Sequence, residues 1–161
     1  MIERASGIDL ASLASDVGAV PMQVGAILRF VPGARLNVIE VRAAMAERIV
    51  GTPRMRQRLV STPLGCGRPL WVDDAEFDIL HHVLHVRCPA PGDQAALLRV
   101  AAAALTHRLR SDRPLWSATL VTGLAAETCA LIVVFHHVLI RSEDCRADEI
   151  MKVDVGRWVG P

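Results

Sequence analysis

The sequence contains no tyrosine and few aromatic residues of any kind. Phe, Trp and Tyr together make up 4% of its 161 residues, and Lys152 is the only lysine. The formal net charge is +1, so the chain lacks the strong positive field that attracts nucleic acid. No nucleic-acid partner is expected, and the core has to be built mainly from aliphatic side chains.

Paired cysteines and long apolar runs are also missing. The four cysteines form no Cys-x-x-Cys pair, which argues against a zinc ribbon or a thioredoxin-like site. The longest apolar run, residues 130–135, is too short to span a bilayer. The N-terminus does not resemble a secretory signal. We expect a cytoplasmic chain with reduced thiols that meets membranes or lipid inclusions only from outside.

Several common catalytic patterns are absent as well. No serine lies in a Gly-x-Ser-x-Gly motif, and no glycine-rich phosphate loop is present. His81 and His85 are four residues apart, as two metal ligands on a helix would be. The sequence around His82 favours a strand, however, and no acidic residue completes a known zinc pattern. Surface or strand histidines are the preferred interpretation, and no metal is expected.

The chain has, in contrast, a large hydrophobic fraction. It reaches 52%, with a mean hydropathy of +0.32. A soluble monomer rarely leaves a large apolar patch uncovered. We therefore expect self-association, a second-half chain or a peripheral lipid surface to cover part of this molecule.

Apolar spacing predicts helices over residues 8–17, 35–50 and 93–108, the last of them capped by Asp93. The apolar residues at helical spacing in the second helix are Leu36, Ile39, Ala43, Ala46 and Val50. The predicted apolar face of the third helix consists of Leu97, Leu98, Ala101, Ala102 and Leu105.

Strands are predicted over residues 22–30, 69–72, 82–87, 116–124 and 128–135. The last of these strands is apolar at almost every position, as expected when both faces are buried.

The adjacent histidines His136 and His137 directly follow the last predicted strand. Burying two imidazoles is costly unless they have partners or a task, and strand ends in α/β sheets commonly bind ligands. With an ordinary pKa of about 6.5, histidine suits general base catalysis. Two hydrogen-bonded structural histidines are the alternative. If strand geometry persists, only one of the pair faces a given cavity.

Several segments, taken in order, resemble the N-terminal domain of the bacterial wax ester synthase/diacylglycerol acyltransferase family. They are residues 21–26, 54–60, 69–78, 82–83, 89–92, 113–116 and 130–137. The resemblance implies an α/β fold with a mixed sheet flanked by helices. This fold would be half of a two-domain fold like that of chloramphenicol acetyltransferase, with the active site in a channel between the halves. The domain would cover residues 1–139, followed by a divergent tail, residues 140–161, with the second domain absent.

The resemblance also implies a reaction, which is fatty acyl transfer from acyl-CoA to diacylglycerol or a fatty alcohol. His137 would act as the general base, His136 would support the local geometry, and no cofactor besides the co-substrate acyl-CoA would be needed. Pro114, Leu115 and Trp116 would shape the wall of the acyl channel, with ordinary core packing as the alternative.

The sequence departs from the family where the motif His-His-x-x-x-Asp-Gly should end. Arg141 and Ser142 stand in place of the Asp and Gly. This change inverts a charge and removes backbone freedom at a turn. A truncated, non-catalytic remnant or a lipid-binding module is therefore the alternative to an active transferase.

Overall fold

The computed structural model describes residues 2–30, 36–63 and 65–140. The predicted tail lies outside these residues apart from residue 140, and so do Arg141 and Ser142. The elements, in chain order, are β1 (Ile2–Arg4), α1 (Gly7–Ala14), β2 (Gln23–Arg29), α2 (Val38–Ile49), β3 (Gln57–Val60), β4 (Leu70–Asp73), β5 (Val83–Arg87), α3 (Gln94–Thr106), β6 (Trp116–Thr122), β7 (Ala130–His136) and α4 (His137–Ile140).

The main sheet contains four strands in the order β2-β7-β6-β5. β5 runs parallel to β6, whereas β7 is antiparallel to both β6 and β2. The sheet is therefore mixed, as predicted. A second, antiparallel sheet has the order β1-β4-β3. Neither β1 nor this separate sheet was predicted from the sequence.

β7 lies in the interior of the main sheet and is buried at all seven positions. Leu131, Val133 and Phe135 belong to one hydrophobic cluster, which also contains residues of α2, α4 and the small sheet. Ala130, Ile132 and Val134 belong to a second cluster, under α3. The prediction of a strand buried on both faces is confirmed, and so is a mixed sheet flanked by helices.

The buried face of α2 differs from the predicted one. Val41 and Ile49 are buried, whereas Ile39 is 74% exposed and Val50 is 69% exposed. The helix begins after Asn37, which forms a capping box with Glu40. Both sides of α2 carry apolar residues at helical spacing, so the period alone does not identify the inward side.

The predicted face of α3 is partly wrong for a related reason. Leu97 is buried and Ala101 packs against the same cluster, as predicted. Leu98, however, is 49% exposed and Ala102 is also exposed. The inward stripe instead includes Val100, because the many alanines of α3 distinguish its inner side only weakly from its outer side.

The turn before α3 is held against the loop between β6 and β7. The Ala125 amide donates a hydrogen bond of 2.8 Å to the Gly92 carbonyl. Gly92 has a φ of +70°, and a Cβ placed on it would lie 2.4 Å from the Gly123 carbonyl oxygen. This close backbone approach requires glycine.

Gly92→Ala should therefore destabilise the chain more than a glycine replacement in open space. Gly65→Ala is the matched control, because Gly65 has a φ of +82° with nothing within 4 Å of its Cβ position. The left-handed conformation costs each variant about 1–2 kcal/mol, and only Gly92→Ala adds the clash. Urea denaturation measures both free energies of unfolding, and equal losses would contradict the close approach.

Candidate active site

The two histidines mark the point where β7 becomes α4. His136 is the last residue of β7 and His137 is the first of α4. The His136 amide donates a hydrogen bond of 2.9 Å to the Leu115 carbonyl, and the His137 amide donates one of 2.9 Å to the Met22 carbonyl. The alternation of a strand therefore does not continue through the pair, since the backbone turns between them.

The His136 ring is buried, with the residue only 4% exposed. Its Nδ1 accepts a hydrogen bond of 3.1 Å from the Val138 amide. Its Nε2 lies 3.4 Å from Oδ2 of Asp16. Burial lowers the pKa of His136, and the nearby Asp16 carboxylate offsets only part of this effect. His136 is therefore held as a neutral, doubly contacted ring near pH 7.

The His137 ring has fewer contacts. Its Nδ1 is buried and has no hydrogen-bond partner among the described residues. A buried polar atom left in this state costs about 1–3 kcal/mol, so such an atom in a native structure calls for a missing partner, such as a ligand or a further protein group. Of the two histidines, His137 is the one with unused hydrogen-bonding capacity.

Asp16, just beyond α1, was not identified from the sequence. Its Oδ1 accepts a hydrogen bond of 2.8 Å from the Met22 amide, and its Oδ2 lies 2.5 Å from Nη1 of Arg108. Burial raises the pKa of the Asp16 carboxyl, but these two donors outweigh it, so the pKa lies below its usual value. A charged carboxylate therefore stands beside His136.

The segment Pro114–Trp116 lies directly beside the histidines. All three residues are buried, and the Leu115 carbonyl binds the His136 amide. The Trp116 indole donates a hydrogen bond of 2.8 Å to the Met55 carbonyl. Leu115 and Trp116 thus take part in the core, and Leu115 also fixes the end of β7.

His82 differs from its two neighbouring histidines because it is buried in the core. It is 2% exposed, and its ring stacks on Trp116 and on Phe77, with centroid distances of 4.5 and 5.1 Å. Its Nδ1 lies 2.9 Å from the Trp116 carbonyl oxygen. His81 and His85 are exposed. Within the described part of the chain, no cluster of His, Cys, Asp or Glu is suited to a metal ion.

An open cleft of about 430 Å³ lies between α3 and the strands β5 and β6. This volume is within the usual range of about 300–1,000 Å³ for small-molecule sites. Its walls include Leu84, Val100, Leu109, Pro114 and Trp116. Several basic residues lie around it, namely His81, His107, Arg108, Arg110 and Arg113.

The cleft and the histidine pair are adjacent but separate. Neither His136 nor His137 lines the cleft. Arg108 connects the two regions, since it lines the cleft and contacts Asp16 beside His136. Two of the three residues predicted to form a substrate wall, Pro114 and Trp116, line this cleft, and Leu115 does not.

Solved structures of other proteins share this fold at low sequence identity. The tallysomycin biosynthesis protein TlmII is 20% identical with a TM-score of 0.67, over 88% of this chain and 35% of that protein. The starter condensation domain of rhizomide synthetase RzmA is 14% identical with a TM-score of 0.66, over 86% of this chain and 34% of that domain's chain. The fold class is that of condensation domains, in agreement with the predicted half of a chloramphenicol-acetyltransferase-like fold.

Closer matches define the family. The wax ester synthase/diacylglycerol acyltransferase of Marinobacter aquaeolei VT8 is 28% identical with a TM-score of 0.71, over 85% of this chain and 33% of that structure. A probable diacylglycerol O-acyltransferase of Mycobacterium tuberculosis, tgs3, is 35% identical over 141 residues, which are 87% of this chain and 52% of that protein. Residues 5–141 match the wax ester synthase/diacylglycerol acyltransferase catalytic domain.

The chain therefore belongs to the wax ester synthase/diacylglycerol acyltransferase family, as the resemblance predicted. It spans about half the length of the tgs3 relative. In residues 2–30, 36–63 and 65–140, no helix has the length and hydrophobicity needed to cross a membrane.

The buried histidines predict a pH dependence of stability. Burial lowers the pKa of both His82 and His136 in the folded chain, whereas an unfolded histidine has a pKa of about 6.5. Below pH ~6.5 the unfolded chain binds more protons, so stability falls as the pH falls. Urea denaturation at pH 7.5 and 5.5 should show this loss.

His82→Phe should reduce that loss of stability, because phenylalanine can stack between Phe77 and Trp116 without taking up a proton. A free energy of unfolding that stays constant or rises between pH 7.5 and 5.5 would contradict the predicted pKa directions.

Proposed function

We propose that the chain forms the N-terminal half of an O-acyltransferase that moves a fatty acyl group from acyl-CoA to diacylglycerol or a fatty alcohol, with His137 as the general base. The observation that carries the proposal is the buried, unpartnered Nδ1 of His137 in a chain that matches the family's catalytic domain over residues 5–141.

In the proposed reaction, His137 takes the proton of the acceptor hydroxyl as that oxygen attacks the thioester carbonyl. The carbon–sulfur bond then breaks, and the CoA thiolate receives the proton from the imidazolium. An ester and free CoA result, without an acyl-enzyme and without a cofactor besides acyl-CoA. His136 supports the geometry, since both of its ring nitrogens already have contacts.

The burial of Nδ1 suggests which atom of His137 reacts. Because Nδ1 is buried, Nε2 is the nitrogen that can meet a substrate hydroxyl. Nδ1 then carries the ring proton and needs an acceptor to orient the ring. The described residues offer none. We propose that a second half-domain supplies that acceptor.

The cleft beside α3 is the proposed site of the acyl chain. Its apolar walls, among them Pro114 and Trp116, suit a hydrocarbon chain. Leu115 would act through its carbonyl, which holds the His136 amide. Arg108 lies between the cleft and the His136 contacts, so a chain in the cleft would end near the histidine pair.

Exposed apolar residues support an additional partner. Ile39 on α2 and Val50, which directly follows that helix, are 74% and 69% exposed. Leu98 on α3 is 49% exposed. We propose that a second half-domain, another copy of the chain or a peripheral lipid surface covers part of this area.

A lipid-binding module without turnover is the second candidate. Arg141 and Ser142 favour it, because they replace the acidic and glycine residues of the family motif. A small misplacement of a catalytic group can cost about a hundredfold in rate. This candidate predicts acyl-CoA binding without product.

His137→Ala should strongly reduce acyl transfer. The test incubates radiolabelled long-chain acyl-CoA and a fatty alcohol or diacylglycerol with the chain, alone and together with the C-terminal half of the tgs3 relative. Loss of a general base predicts about 10²–10⁴-fold less product. His85→Ala is the matched control, since His85 is exposed and contacts Thr122.

The possible results separate the two candidates. Product that depends on His137 supports the transferase. Binding of acyl-CoA without product supports the lipid-binding module. Equal product from His137→Ala and the parent chain would rule out His137 as the base, and the absence of both binding and product would contradict both candidates.

Ala103→Trp should weaken binding of long-chain acyl-CoA, because Ala103 lines the cleft and an indole would occupy it. Displacing two methylenes, at ~0.8 kcal/mol each, predicts at least a roughly tenfold weaker Kd. Ala102→Trp is the control, since Ala102 is exposed on the same helix and does not line the cleft. Calorimetry that finds equal Kd values for the two variants would exclude the cleft.

A further inference from the structure

Asp16 joins three separate segments of the chain at the ring of His136. It follows α1, accepts a hydrogen bond from the Met22 amide before β2, and pairs with Arg108 after α3. Arg108 also donates a hydrogen bond of 3.0 Å to the Gly18 carbonyl. The Asp16 side chain is 16% exposed, whereas that of Arg108 is 46% exposed.

The backbone beyond His136 determines which ring nitrogen carries the proton. The Val138 amide lies 3.1 Å from His136 Nδ1. A backbone amide can only donate, so Nδ1 has to present a lone pair. In the neutral ring the proton is therefore on Nε2, which faces Asp16 Oδ2 at 3.4 Å. The Asp16 carboxylate can accept from this N–H, although the distance is long for a hydrogen bond.

We propose that Asp16 is a positioning residue whose carboxylate fixes the ring of His136, and through it the helical turn from which His137 projects. The connection is direct, because Nδ1 of the same ring holds the Val138 amide in the first turn of α4. This turn begins at His137. The consequence for His137 rests on the proposed function, whereas the arrangement of Asp16 and His136 does not.

The charged groups around His136 are consistent with Asp16 as the residue that positions its ring. Among the residues that the structure describes, Asp16, Arg108 and His137 are the ionisable groups that shift the pKa of His136. Burial favours the neutral ring of His136, and Arg108 adds to this effect while it keeps Asp16 charged. The neutral Nε2–H group of His136 is therefore stable when it faces the charged carboxylate of Asp16, whereas two donors facing each other would not be.

The test records the tautomer of His136 by ¹⁵N nuclear magnetic resonance in the whole chain at pH 7.5. The expected spectrum has an unprotonated Nδ1 and a protonated Nε2. A protonated Nδ1 would overturn the proposal. This measurement requires neither a variant nor turnover. If acyl transfer failed, the tautomer result would still stand. If the tautomer prediction failed, the result of the transfer assay would still stand.

The second part of the test changes the carboxylate. In Asp16→Asn the group that faces the Nε2 proton of His136 is no longer charged, so the ring should be held less firmly. The Val138 amide should exchange its hydrogen roughly fivefold faster than in the parent chain, relative to amides in the middle of β7, as expected for one lost hydrogen bond.

Asp112→Asn is the matched control for Asp16→Asn. It removes the same charge from an exposed carboxylate that pairs with Arg110, and it should leave His136 and Val138 unchanged. If Asp16→Asn also left the exchange rate of the Val138 amide unchanged, the proposal would be wrong.

Arg108→Gln keeps the result decisive even if Asp16→Asn does not fold. It removes the cationic partner of Asp16 while leaving the carboxylate in place. The Val138 amide should then exchange at least roughly twofold faster. An unchanged exchange rate in this variant would equally overturn the proposal.

Discussion

The complete burial of β7 is the constraint on which the rest of this structure depends. Its side chains alternate between two hydrophobic clusters, one on each face of the sheet, so a slip of one residue would exchange them all. The strand ends in an imidazole, His136, whose amide is bound by Leu115 and whose ring is contacted by Asp16. The candidate site is thereby attached to the most firmly fixed element of the fold.

Much of the fold could be predicted because the signals are local. The apolar sequence of β7 indicates a strand buried on both faces, and Asp93 caps α3 as expected. The inward side of α2 could not be predicted, because Ile39 and Val41 both belong to apolar stripes and only tertiary packing selects between them. The strand β1 has just three residues, all of them exposed, so no periodic pattern marks it.

In the candidate site too, some residues could be identified from the sequence and others could not. The pair His136 and His137 stands out in the sequence, since two polar rings follow an apolar strand. Asp16 and Arg108 do not stand out, because they meet His136 only after loops beyond α1 and α3 fold together. His82 illustrates the opposite problem, since nothing in the sequence separates this core residue from the exposed histidines on either side.

The two rings have different surroundings, and this difference supports the assignment of the base. His136 has a contact at each nitrogen, whereas Nδ1 of His137 has none among the described residues. The most direct measurement follows the ring resonances of His137 by nuclear magnetic resonance while long-chain acyl-CoA is added. The assignment of His137 as the base predicts a saturable shift of its ring resonances and no shift of those of the exposed His85. Binding that leaves the His137 ring unchanged would contradict it.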